Sequence, residues 1–178
     1  MREFKGTYYP YADLYAGNRH FLNLIDEKLS GPVVYYSCIS VIVFSAFCLE
    51  GYMNHIGPNY FSTWYDEKTG ENRKRPKEKL DLICEKIKYV PAFGHRPFQS
   101  FMPIFQFRNL LAHNKTEILK GNFEGDYPDI DTKIQKLATP QYAHRFHNDT
   151  VKMIRIIHEA HRPNDDPLLS IGDAEWIG

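Results

Sequence analysis

The sequence lacks a surplus of charge of either sign, because 22 lysines and arginines balance 22 aspartates and glutamates over 178 residues. Such a chain has no global positive field to attract nucleic acid, so a site for a polyanion would need a local concentration of charge. Cysteine is also scarce. Cys38, Cys48 and Cys84 show no C-x-x-C spacing, which argues against a disulfide framework or a zinc site and indicates reduced core thiols in a cytoplasmic protein.

Several motifs of catalysis and targeting are missing as well. The sequence has no glycine-rich phosphate loop, no G-x-S-x-G turn and no cysteine–histidine motif. The opening residues, MREFKGTYYPYADLY, hold no apolar core of a secretory signal. No persistent period-two alternation and no repeat is present, so we expect helices rather than strands.

One long uncharged run, Val33 to Leu49, stands out against this background. As a helix its 17 residues would extend about 26 Å, less than the ~30 Å hydrocarbon core of a bilayer. The run contains three serines and lacks positive flanks. A helix that is apolar all round is also typical of the centre of a bundle, and we therefore expect a core helix and no membrane partner.

Proline and glycine divide the chain into about five helices. Ser30-Gly31-Pro32 separates a first helix, Pro10 to Leu29, from the apolar helix, which should end near His55. Further helices are predicted at about 77–89, at 98–114, with a start near Met102 or a kink at Pro103, and from the Thr139-Pro140 cap onwards.

These elements predict a single all-α domain over residues 1–178, an up-and-down antiparallel bundle with its core at about 10–160. Residues 116–138 are mostly polar and should form a long excursion with a short helix at 130–137. Residues 163–178 form a C-terminal tail, whose Trp176 and Ile177 we expect to dock on the domain.

The stretch FRNLLAHNK, Phe107 to Lys115, concentrates polar chemistry on a core helix. Asn109 and His113 fall nearly on one helix face, while Arg108 lies about 140° from His113 and must reach around the helix. Histidine can act as a general acid or base near neutral pH, and arginine offers a planar fork of donors to phosphate oxygens. The structural alternative is that Arg108 pairs with an acid on a neighbouring helix and His113 interacts with the helix C-terminus.

A second element lies at the end of the apolar helix, where Glu50 and Asn54 are one turn apart in SAFCLEGYMNH. A carboxylate there needs water or a partner, because a buried unpaired charge is costly. Arg108 is the candidate partner.

Together these segments resemble the HEPN family, the "higher eukaryotes and prokaryotes nucleotide-binding" helical domains. The family pattern is similar to S-x-x-x-L-E-x-x-x-N on an early apolar helix and R-N-x-x-x-H on a later one. The matching positions here are Ser45, Leu49, Glu50, Asn54, Arg108, Asn109 and His113.

The resemblance implies a homodimer with a composite cleft in which the two copies of the Arg…His motif face each other. Many members are metal-independent endoribonucleases, and several are toxins or defence effectors. Arg108, Asn109 and His113 would then be catalytic, Glu50 and Asn54 supporting, and RNA the substrate, with an antitoxin or regulatory protein as a further partner. Other members are non-catalytic modules that bind nucleotide, RNA or protein, which is the competing expectation here.

One departure from the family pattern concerns the residue two positions after the histidine. Some toxin members carry a tyrosine there, which a partner antitoxin modifies, whereas this chain has Lys115. Lys115 instead joins the basic residues Arg73, Lys74 and Arg75 as expected contacts for RNA phosphates, and a solvated loop is the alternative for that run. The i, i+3 histidine pairs of the last helix lie too far apart to form one site, so we expect no metal and no cofactor.

Overall fold

The computed structural model describes residues 3–27, 31–113, 115–118, 131–162, 165–169 and 172–177. Within them the chain forms a helical bundle, which confirms the predicted fold class. Its helices are α1 (Pro10–Asp26), α2 (Pro32–Ile56), α3 (Pro76–Lys86), α4 (Phe101–Ala112), α5 (Lys133–Leu137) and α6 (Pro140–His161). Two strands, β1 (Glu3–Tyr8) and β2 (Gly172–Ile177), accompany them.

The first two helices, α1 and α2, pack against each other in antiparallel orientation. A Cβ at Gly51 would lie 3.2 Å from Cβ of Tyr11, and the Asn18 amide contacts Ser45 Oγ at 3.1 Å. A later residue of α1 thus contacts an earlier residue of α2, as antiparallel packing requires. Close helix packing of this kind buries the apolar surface of both partners. This helix pair is the central part of the bundle, and α4 and α6 pack against it.

The apolar helix α2 is the centre of the core, as predicted. Its buried residues contact α1, α3, α4 and α6, and Ile42, Leu49 and Tyr52 are fully shielded from solvent. Among the described residues one helical stretch, Pro32–Asn59, is long and apolar enough to cross a membrane, a test that the core helix of a water-soluble bundle also passes.

The cysteines are free thiols within this core, as the sequence indicated. Cys38, Cys48 and Cys84 are all buried and unpaired with one another. Burial raises the pKa of Cys38 and Cys84 to about 11 and that of Cys48 to about 12. Thiols with such pKa values carry almost no thiolate at neutral pH, so they act as small apolar side chains.

The helix that carries the Arg…His motif begins at Phe101, after a 3₁₀ turn over Phe98–Ser100. Pro103 therefore lies in the first turn of α4, where its missing N–H leaves no helical hydrogen bond unmade. This is the first of the two arrangements expected for this proline, a helix start near Met102.

Two predicted helix ends are corrected by the structure. α3 ends at Lys86 rather than 89, because Lys88 takes a positive φ of 55° and Tyr89 N–H donates to Cys84 O, the closing bond of a Schellman motif. α1 ends at Asp26 rather than Leu29, and residues 28–30 lie outside the described part of the chain. Residues 119–130 of the predicted excursion also lie outside it, while α5 and the Thr139 cap are present as expected.

The expectation of no strands was wrong at the two ends of the chain. β1 and β2 pair antiparallel in a two-stranded ribbon, with Glu3 opposite Ile177 and Tyr8 opposite Gly172. Alternation of polar and apolar residues extends over only three residues in β1, Glu3 to Lys5, and over four in β2, Asp173 to Trp176, which is at or below the shortest stretch that indicates a strand. The C-terminal tail thus pairs with the N-terminal strand, while the side chains of Trp176 and Ile177, expected to dock on the domain, lie outside the described part of the chain.

Candidate functional site

The carboxylate of Glu50 links three helices. On α4 the Arg108 Nη1 donates to Glu50 Oε2 at 2.6 Å, and on α3 the Lys79 Nζ donates to Glu50 Oε1 at 2.7 Å. Glu50 and Arg108 are each 22% exposed, whereas Lys79 is 2% exposed. One anion between two cations leaves the cluster with a net charge of +1, so it can hold Arg108 in place and still attract an anionic ligand.

The ion pair of Glu50 with Arg108 was predicted, but the part played by Lys79 was not. Its ammonium also donates to Asn54 Oδ1 at 3.3 Å, so both supporting residues of α2 meet the same cation. A signal for this existed in the sequence, since Lys79 precedes Ile83 by one turn and so faces the core with the apolar stripe of α3.

Asn109 holds the other edge of the guanidinium. Its Oδ1 accepts from Arg108 Nε at 3.1 Å and from Arg108 Nη2 at 3.0 Å, while the guanidinium carbon lies 5.3 Å from the Phe105 ring centroid. All three nitrogens of Arg108 therefore donate a hydrogen bond. The side chain is fixed in one plane at the surface of the cluster, as preorganised recognition of a phosphate requires.

His113 lies at the C-terminal end of α4, one turn beyond this cluster. Its backbone N–H donates to Asn109 O at 2.9 Å, and its side chain is exposed. The ring borders a surface cavity of about 430 Å³, which Leu110, Lys115, Glu117 and Lys133 also line. The hydrogen bonds of the described residues connect Arg108 to Glu50 and Asn109, not to His113.

The structure thus brings four of the five residues predicted as catalytic or supporting into one network, Glu50, Asn54, Arg108 and Asn109, and places His113 beside it at the end of α4. It also bears out the first part of the structural alternative, since Arg108 pairs with an acid on a neighbouring helix. His113 is the C-cap residue of α4 through its backbone N–H. Lys115, expected to contact RNA, lines the same cavity as His113.

The basic run before α3 lies on the other side of the cluster. Arg73, Lys74 and Arg75 are exposed; Arg73 donates to Glu67 O, and Arg75 pairs with Glu78 at 3.1 Å. Arg75 also borders a cleft of about 350 Å³ that reaches Asn109. The guanidinium of Arg75 and the site on α4 therefore open onto one surface.

The aromatic residues that precede the run divide between core and surface. Trp64 is fully buried, and its ring covers Gly57, where a Cβ would come within 2.3 Å of the indole. Tyr65 is exposed but donates its hydroxyl to Asn54 O at 2.7 Å. Core packing thus accounts for Trp64.

The histidine pairs of α6 serve separate structural contacts. His144 pairs with Asp26 at 2.9 Å, and His147 stacks on Tyr15, with the ring centroids 5.6 Å apart. His158 contacts Tyr52 and Asp165, and His161 contacts Tyr60 and Asn59. Over the described ranges, no group of three or more His, Cys, Asp or Glu side chains is arranged to hold a metal ion.

Comparison of the chain with protein-family models, with curated protein sequences and with solved structures finds no match. The class is therefore defined by the fold and the site alone: a helical bundle that presents an arginine fixed by one carboxylate and one amide, with a histidine at the end of the same helix.

Proposed function

We propose that the protein is a metal-independent endoribonuclease of the HEPN type, which cleaves RNA by attack of the 2′-hydroxyl in a composite cleft between two subunits. The observation that supports it is the placement of Arg108. A carboxylate with a second, buried cation holds the guanidinium, and the exposed His113 follows five residues later on the same helix.

In this proposal each residue has one task. His113 takes the proton from the 2′-hydroxyl, the 2′-oxygen bonds to phosphorus, and the bond to the 5′-oxygen breaks. The second proton comes from His113 of the partner subunit or from water and neutralises the leaving 5′-oxygen. Arg108 stabilises the charge on the pentacoordinate phosphorus, and Asn109 orients the guanidinium. The products are a 2′,3′-cyclic phosphate and a 5′-hydroxyl, and no metal takes part.

The competing function is a non-catalytic module that binds RNA, nucleotide or a protein through the same surface. A specific observation favours it: within one chain each of the three guanidinium nitrogens of Arg108 already donates a hydrogen bond to Glu50 or Asn109. An arginine in such a network contributes to stability whether or not it ever contacts a phosphate.

The two functions are separated by an RNA cleavage assay in excess EDTA. Wild type should produce fragments ending in cyclic phosphate, and His113→Ala should produce none while keeping its helical content, because the side chain is exposed. His20→Ala, which removes another exposed histidine, is the matched control and should cut normally. If the wild type binds RNA from several pools but cuts none of it, the ribonuclease proposal is wrong and the binding module is supported.

A further inference from the structure

A second cavity continues from the one beside His113. Leu110 lines both, and Lys133 and Leu137, one turn apart on α5, line the first and the second respectively. The second cavity has a volume of about 440 Å³ and lies between α4, α5 and α6. Leu110 precedes His113 by three residues, a rise of about 4.5 Å along the helix, so the two cavities are neighbours along one groove.

The walls of the second cavity are apolar and largely aromatic. Phe107, Leu110, Leu137, Tyr142 and Phe146 line it, and the Tyr142 and Phe146 ring centroids are 5.5 Å apart. Of these rings, that of Tyr142 is partly exposed. A partly exposed aromatic ring in a groove can stack a planar ring of any base.

The rim of this cavity carries polar groups with spare hydrogen-bonding capacity. Arg145 donates from Nε to Ser100 at 3.2 Å and from Nη2 to Gln99 at 3.3 Å, and its Nε lies 3.8 Å from Asp149 Oδ2. Its Nη1 makes no hydrogen bond to the described residues. Gln106, at the edge of the same cavity, is exposed. Among the described residues around the first cavity, the two cations Lys115 and Lys133 face one carboxylate, that of Glu117. The groove thus combines apolar walls with a positive rim.

We propose that this second cavity is a base subsite: it holds an unstacked nucleobase of single-stranded RNA, one nucleotide away from the phosphate at His113. The base stacks on Tyr142, and Nη1 of Arg145 donates to the adjoining phosphate. The proposal rests on the proposed ribonuclease function for the position of the cut, while the binding of the base depends on this groove alone. A protein helix or a second copy of the chain could occupy an apolar groove without a positive rim, whereas the phosphates of RNA account for the rim.

The test is a double-mutant cycle that combines a substitution in the protein with removal of a base from the substrate. The substrate is a short DNA strand with a single ribonucleotide, which fixes the bond that is cut; in two variants the base on the 5′ or the 3′ side is replaced by an abasic residue. Wild type should cut one abasic variant about tenfold more slowly than the complete strand. Tyr142→Ala should cut the complete strand about tenfold more slowly and show no further loss on that abasic variant. Tyr142→Phe, which keeps the ring, should behave as wild type.

Controls separate a lost subsite from a lost fold. Tyr36→Ala removes an exposed tyrosine outside both cavities and should leave all cleavage rates unchanged. Equal tenfold losses for Tyr142→Ala on complete and abasic strands would mean that the ring acts through the fold, and would overturn the subsite.

The two proposals can fail separately. The same strands with deoxyribose throughout cannot be cut, and their affinities are measured by fluorescence anisotropy. If no ribonucleotide strand is cut but Tyr142→Ala weakens only the strands that carry the neighbouring base, the subsite stands and the ribonuclease is wrong. If the cleavage rate is the same for both abasic strands as for the complete strand, the ribonuclease proposal stands and the subsite proposal is wrong.

Discussion

Glu50 and Arg108 lie 58 residues apart in the sequence and 2.6 Å apart in the structure, where their ion pair joins α2 to α4. Lys79 approaches the other carboxylate oxygen from α3, so a single anion organises two cations of very different exposure. Arg108 lies at the surface, whereas the buried Lys79 depends on Glu50 for its counter-charge.

Because the buried Lys79 needs the charge of Glu50, removing Glu50 should destabilise the protein more than removing Lys79. Glu50→Gln would leave Lys79 buried without a counter-charge and should lower the free energy of unfolding by about 3 kcal/mol. Lys79→Met removes the buried cation and leaves Glu50 paired with Arg108, so the expected cost is about 1 kcal/mol or less. Urea denaturation of both variants measures the difference. Equal losses would mean that Lys79 does not depend on Glu50 for its charge compensation.

The planar contacts of Arg108 predict that lysine cannot replace it. Arg108→Lys keeps the positive charge beside Glu50, so the free energy of unfolding should change by about 1 kcal/mol or less. An ammonium cannot bridge Glu50, Asn109 and a phosphate in one plane, and RNA cleavage should fall about 100-fold. Single-turnover cleavage rates measure this effect, and a rate close to that of wild type would show that only the charge is required.

His147 predicts a dependence of stability on pH. Burial lowers its pKa to about 4, and the positive charges of His144 and Arg19 add to this effect. Between pH 6.5 and 4 the unfolded chain binds a proton that the folded chain does not, so stability falls as the pH falls through this window, by about 3 kcal/mol.

The variant His147→Phe retains a ring to stack on Tyr15 and removes the titration. Between pH 7 and pH 4 the free energy of unfolding of this variant should fall by about 3 kcal/mol less than that of the wild type. His20→Phe, at an exposed position, should leave the wild-type profile unchanged. A parallel decline in wild type and His147→Phe would assign the acid sensitivity to other groups.

Asp149 predicts a large effect of removing one charge. Its carboxylate is 1% exposed and accepts from Arg96 Nε at 2.9 Å and from Ser100 Oγ at 2.5 Å. Asp149→Asn would turn an amide N–H₂ towards these donors and should cost about 3 kcal/mol in unfolding free energy. Asp26→Asn breaks an exposed pair with His144 and should cost about 1 kcal/mol or less, measured in the same denaturation series.

The parts of the molecule that the sequence predicts are those set by local signals. The apolar run of α2, Pro103 in a first helical turn and the Thr139 cap each act within a few residues, and the structure confirms them. The Glu50–Arg108 pair was predictable because a carboxylate on an apolar helix needs a cation.

The parts that were missed depend on partners far away in the sequence. The position of Lys79 on the apolar face of α3 indicates burial, but its partner Glu50 lies 29 residues away on α2. The partners of Asp149, Arg96 and Ser100, lie 53 and 49 residues away. The strands are the extreme case, since each carries only a short alternating stretch and pairs with a segment at the other end of the chain.

The ribbon of β1 and β2 has a consequence for the order in which the chain folds. Pairing Glu3 with Ile177 closes a loop that contains every helix, the longest sequence separation among the described contacts. Loop-closure entropy delays such a contact until the bundle has shortened the distance between the ends. The ribbon should therefore form last and open first, and its amide protons should exchange with solvent while those of α2 remain protected.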